Sequence, residues 1–258
     1  MTPEARERRT VRQPLLAASA LAWALLAAAA SGLALPALCA GVALAALPAP
    51  ATPTPAAIDL ALAMNPPATL AIGWALMLAA MMLPLLAAPI RHVRARSLTR
   101  RRGRAVALFV GGYAAVWMAT GTVLLASALM LRLALPGSAL PLAGALFVAA
   151  LWQVSPLKQR CLNRCHSLPG LAAFGAAADR DALRFGVSQG VWCVGACWAL
   201  MLLPLLVAQG HLFAMAAVAL WLAGERIDRP VRPAWALRWP DKALRLVRAR
   251  AAMRLQFR

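Results

Sequence analysis

The sequence predicts an all-α fold: a polytopic transmembrane helix bundle of about six spans, with both termini cytoplasmic. Three observations predict it. Hydrophobic residues make up 62% of the 258 positions and charged residues only 14%, against roughly 25% charged in an ordinary soluble domain. Apolar runs recur that are long enough to cross about 30 Å of hydrocarbon, each needing about 20 residues. The positive charge is also one-sided: with six spans, 26 of the 27 Lys and Arg residues fall on one face and only Arg132 on the other. That bias marks cytoplasmic segments. The net charge of +19 therefore reads as topology and not as the footprint of nucleic-acid binding, and the lipid bilayer is the first expected partner.

Residues 1–14 form a basic cytoplasmic N-terminus carrying Arg6, Arg8, Arg9 and Arg12, and residues 15–232 form the membrane domain. The first span, 15–46, is about twice the length of a secretory apolar region. Leu38 ahead of Cys39 also suits a lipoprotein cleavage site poorly, so this span reads as uncleaved. The stretch 47–68 holds Pro48, Pro50, Pro53, Pro55, Pro66 and Pro67 and reads as an external loop, because proline lacks the N–H a helix interior needs. Span two, 69–90, ends at the seven arginines of Arg91 to Arg104 and contains Pro84, which predicts a kink. Span three, 105–131, stops before the Pro136-Gly137 turn.

Span four, 139–154, is followed by Ser155-Pro156, a hydroxyl cap and a proline pre-set for the first helical turn. This predicts a short helix from Pro156 to about Ser167 at the cytoplasmic surface. Spans five and six cover 185–208 and 211–224. The tail, 233–258, interleaves basic residues with Trp235, Trp239, Leu244, Val247, Ala251 and Leu255, the pattern of a basic amphipathic helix on anionic lipid. Trp74-Ala-Leu-Met-Leu in span two recurs as Trp198-Ala-Leu-Met-Leu in span five. The charge-derived topology runs these spans in opposite directions, as an inverted repeat would.

Candidate chemistry lies in sulfur. Cys193 and Cys197 are four residues apart in span five, which puts their Cβ atoms about 5–6 Å apart on one helix face. Met201 continues that stripe. Thiolates and a thioether in apolar surroundings are soft donors, which select Cu(I) and, with other donors, Zn²⁺. Buried Cys and Met also serve as plain apolar filler. Cys161 and Cys165 repeat the spacing among Lys158, Arg160 and Arg164, where positive charge favours the thiolate, and His166 offers a nitrogen. In span two, Met77 and Met81 share a face at a depth that can meet Met201 and Cys197. Asp59, Arg132, Glu225, His92 and His211 fall at membrane edges, where a polar group reaches water.

Several stretches together resemble a known family: Ala80-Met-Met-Leu-Pro84, Gly112-Tyr113 with Trp117, Gln153-Val-Ser-Pro-Leu-Lys158 into Cys161-Leu-Asn-Arg-Cys165, Gly190 through Cys193 and Cys197 to Met201, and Glu225-Arg226. The chain resembles the bacterial family of predicted metal-binding integral membrane proteins, DUF2182. The resemblance implies a multi-pass protein of the bacterial cell inner membrane that handles a metal, with no enzymatic reaction assigned and with Cys161, Cys165, Cys193 and Cys197 as its ligands. The chain departs from the family pattern at Gln189, where a His is usual, at Ala196, where a second adjacent Cys is usual, and at Gly210-His211. The leading expectation is therefore a membrane protein that binds Cu(I), or less readily zinc, for delivery, storage or transfer, with a metal-donor or metal-acceptor protein as partner. The competing expectations are an assembly subunit of a membrane complex and a thiol redox protein. The redox reading is weakened because an i, i+4 helical pair is poorly disposed for a disulfide.

Overall fold

The computed structural model describes residues 3–31, 54–207, 209–228, 230–237, 239, 242 and 245. Among them the regular structure is entirely helical: α1 (Pro3–Ala30), α2 (Pro55–Met64), α3 (Pro67–Met82), α4 (Ala87–Arg96), α5 (Arg102–Ala134), α6 (Leu140–Val154), α7 (Pro156–Arg164), α8 (Gly175–Leu206) and α9 (His211–Ile227). Short 3₁₀ turns, Leu83–Leu86 and Thr99–Arg101, join α3 to α4 and α4 to α5. Four continuous stretches are long and apolar enough to cross a membrane: Arg9–Ala30, Pro67–Arg96, Thr99–Ala134 and Gly175–Leu206. A fifth is the α6–α7 pair, bent by 68° at Ser155. Of the two remaining helices, α2 has 10 residues and α9 has 17, the latter close to the short end of what a crossing needs. Cys39, most of the proline-dense stretch, the second half of the first span and most of the amphipathic tail lie outside the described residues.

The proline-dense stretch departs from the loop expectation where it is described. Residues Pro55–Met64 form a helix because Pro55 occupies its first position, where the missing N–H is an orphan in any case. Pro84 breaks span two as expected, but through a 3₁₀ turn after which the helix resumes. A proline at position 84 leaves the carbonyl of Ala80 without its usual i+4 donor. Two side chains of α1 supply donors instead: the Ser19 hydroxyl at 2.6 Å and the Trp23 indole N–H at 3.1 Å. The break is thus what locks α1 onto α3.

The most extensive helix pairing is between α5 and α8. Arg101 and Arg104 at the start of α5 bind Asp179 near the start of α8 at 3.0 and 2.8 Å, and Arg132 near the end of α5 donates to the carbonyl of Leu205. The two helices therefore run parallel, with α6 returning the chain between them. Glycines let them approach. A Cβ at Gly186 would strike the backbone of Phe109, and one at Gly112 would lie 2.8 Å from the carbonyl of Leu183. Close backbone approach of this kind is how helices associate where the surrounding medium is itself apolar.

The repeated Trp-Ala-Leu-Met-Leu strings sit in different surroundings. Trp74 is buried and its indole donates to the carbonyl of Trp117 at 2.9 Å, in a space that Gly121 leaves open. Trp198 packs edge-on against Trp152, ring centroids 5.4 Å apart, on α6.

Candidate metal centre

The Ser155 cap forms as the sequence leads one to expect: its hydroxyl accepts from the backbone N–H of Lys158 at 3.1 Å. This turn bends α7 sharply away from α6 and lays it along the flank of α8. Gly195 on α8 receives it, for a Cβ there would lie 2.6 Å from Cys161 Sγ. The Gln189 amide donates to the carbonyl of Cys165 at 3.1 Å, and the Trp152 indole donates to the carbonyl of Gly195 at 2.9 Å. The two cysteine pairs are thereby brought against one another. Helix α7 is buried on one side only, at Lys158 and Gln159, with Leu157, Arg160 and Arg164 exposed; Cys165 at its C-cap is 4% exposed, and only Cys161 of the four cysteines stands half-buried.

Cys193 is the centre of the cluster. Its Sγ accepts from the Tyr113 hydroxyl at 3.2 Å and from Arg226 Nη2 at 3.1 Å, so one sulfur from α8 meets an α5 phenol and an α9 guanidinium. The Arg226 side chain also reaches the Cys165 thiol. Cys197, one turn on, donates its S–H to the carbonyl of Cys193 at 2.9 Å. All four described cysteines are free thiols. Burial pushes the Cys165 thiol up to about 12, while the Arg226 charge pulls the other way. Cys193 and Cys197 border a cavity of about 10 Å³, together with Leu162, Leu222, Glu225 and Arg226, a space about the size of one small atom or a water.

The other expected donors are placed as follows. Met201 is fully buried one turn beyond Cys197, and Met77 and Met81 are buried on α3, all within the same continuous core as the cysteines. The principal neighbours of α3 are α1, α5 and the 3₁₀ turn, whereas those of α8 are α5, α7, α6 and α9. His166 has Nδ1 2.9 Å from the carbonyl of Leu162 and Nε2 3.2 Å from that of Arg226, so both ring nitrogens face backbone oxygens. Among the described residues no three side chains of His, Cys, Asp or Glu stand together as a ready-made metal cage.

Reading by sequence missed the charged half of the site. Glu225 does not snorkel at an edge: it is 6% exposed and forms an ion pair with the equally buried Lys158. The same carboxylate oxygen, Oε1, accepts from Trp221 Nε1 at 2.8 Å and Gln153 Nε2 at 3.2 Å. His211 is likewise buried, bonded through Nδ1 to the carbonyl of Pro204 at 2.7 Å. The available signal was the pair Glu225-Arg226 near the end of an otherwise apolar helix, since a charge held against apolar residues needs a partner.

A family model described as "PpoB2: Copper chaperone" matches residues 71–240, a stretch that contains all four paired cysteines together with Tyr113, Glu225 and Arg226. No curated protein and no solved structure matches the chain.

Proposed function

The chain belongs to the PpoB2 copper chaperone family, and from that premise we propose that it is a multi-pass copper chaperone of the bacterial inner membrane, with both ends cytoplasmic. In this reading Cys193 and Cys197 hold Cu(I), Cys161 and Cys165 beside them are a transfer position that retains no metal on its own, and the cargo passes to or from a partner protein. The observation that carries the reading is the arrangement at Cys193: a buried i, i+4 thiol pair bordering an atom-sized cavity, with a guanidinium bonded to one sulfur.

Charge balance favours Cu(I). A Cu(I) ion between two thiolates has one net negative charge, and a buried charge is tolerated only when paired. Arg226 supplies that pairing without being a ligand. A structural zinc site takes four ligands, more than the described residues bring together, whereas a thiolate pair suffices for Cu(I), and soft donors select it. Met201, Met77 and Met81 extend the soft surface farther along the core. Nothing in this scheme calls for a chemical reaction beyond ligand exchange.

The test is metal content. Protein purified after growth with copper and analysed for bound metal should carry copper that a variant with Cys161, Cys165, Cys193 and Cys197 all changed to Ser lacks. Equal copper in the two would refute the function. Cysteines trapped as disulfides with no bound metal would instead favour the redox reading.

A further inference from the structure

A second, larger cavity of about 390 Å³ opens beside the thiol site; its charged lining is Glu225 and Asp228 with Lys158, Lys242 and Arg245, so the carboxylates are where a cation can make contact. Glu225 and Leu162 are the two side chains that line both this open pocket and the small cavity at Cys193 and Cys197. Glu225 thus stands as a partition between water and the thiols. Its two oxygens are unequal. Oε1 takes the bonds from Lys158, Trp221 and Gln153, whereas Oε2 is buried and has no hydrogen-bond partner among the described residues. An unpaired carboxylate oxygen in such a place is costly, and packing alone gives no reason for it.

We infer that Glu225 is the way-station through which a monovalent metal cation passes between the open pocket and the Cys193–Cys197 pair, with Oε2 as its transient oxygen contact. This rests on the copper-carrying role proposed above and adds the route to it. The chemistry is ligand exchange at constant oxidation state: the cation leaves its soluble ligand for Oε2, then exchanges Oε2 for the two sulfurs, while the S–H protons of Cys193 and Cys197 leave to water in the pocket. A carboxylate is too hard a donor to retain Cu(I) against thiolates, so the metal does not stop there. Lys158 holds Glu225 in position through their ion pair, and its own charge keeps a cation from resting in the pocket.

The experiment measures loading rate and final occupancy separately. Purified full-length protein under reducing conditions is mixed with Cu(I) bicinchoninate, and loss of the coloured complex is followed in time. Glu225→Gln keeps the shape and the acceptor for Trp221 but removes the charge. It should load about tenfold more slowly, the order expected when one charge-assisted contact on the way in is lost, and reach the wild-type copper content. Because this change leaves Lys158 buried without its partner, the double variant Lys158→Met with Glu225→Gln is made beside it, since removing a whole buried ion pair is often tolerated. It too should load slowly and fill completely. Wild-type loading rates in either folded variant overturn the route, and so does a folded variant that never fills, which would make Glu225 a ligand or a structural prop. Failure of the wild-type protein itself to take copper would instead refute the function and is distinguishable from both.

Discussion

The two Cys-x3-Cys pairs have the same spacing and opposite surroundings. Cys193 and Cys197 lie inside a long helix, with a phenol, a guanidinium and a small cavity against them. Cys161 lies on a nine-residue helix, and Cys165 caps its C-terminus; the position of that helix depends on a serine cap and a glycine. Arg226 reaches both pairs, at Cys193 and at Cys165, but the phenol of Tyr113 and the small cavity belong to the first pair. Spacing alone therefore does not distinguish a metal position from a supporting one. What distinguishes them is that charge, hydrogen-bond donor and space converge on Cys193, whereas Cys165 shares only the charge.

Arg226 is where that distinction should break most visibly. Arg226→Gln removes the charge that balances a copper dithiolate, and a buried uncompensated charge costs about 3–5 kcal/mol. Affinity for Cu(I) in chelator competition should fall at least a hundredfold, with Arg226→Lys recovering part of it. Unchanged affinity in Arg226→Gln would place the metal elsewhere. The α7 pair should break differently. Gly195→Ala brings a methyl group against Cys161 Sγ, and overpacking of this kind costs about 1–3 kcal/mol. The expected signs are easier alkylation of Cys165 and lower resistance to denaturation, with copper retained at Cys193.

Tyr113→Phe deletes one hydrogen bond to Cys193 and should weaken copper binding by a few-fold, in line with about 1 kcal/mol for a neutral bond. Ser155→Ala is the smallest effect expected. Loss of the cap costs about 1 kcal/mol, seen as a lower denaturation midpoint with copper affinity at Cys193 intact. A Ser155→Ala variant that lost copper altogether would mean that α7 contributes more than placement.

How much of this could be read beforehand differs by residue. The helical class, the long apolar helices, the break at Pro84 and the Ser155-Pro156 cap all follow from local rules, because hydropathy, proline geometry and capping act within a few residues of sequence. The helix at Pro55 escaped because a count of prolines hides where each one falls relative to a helix start. The charged half of the site escaped for a different reason. Lys158 and Arg226 read as part of the charge that orients the chain; the Glu225-Arg226 pair signals that a buried charge needs a partner, but not that the partners are Lys158 and Cys193. Those partners are 67 and 33 residues away. Gln189 shows the same limit. As a departure from the family pattern it reads as a lost ligand, yet in the fold its amide ties α8 to the carbonyl of Cys165.

The most direct measurement compares bound copper in two double variants, Cys193→Ser with Cys197→Ser and Cys161→Ser with Cys165→Ser, each purified from copper-grown cells beside the wild type. Copper should vanish from the first and persist in the second. Copper retained without Cys193 and Cys197, or lost only with Cys161 and Cys165, would contradict the assignment of the metal to the intrahelical pair.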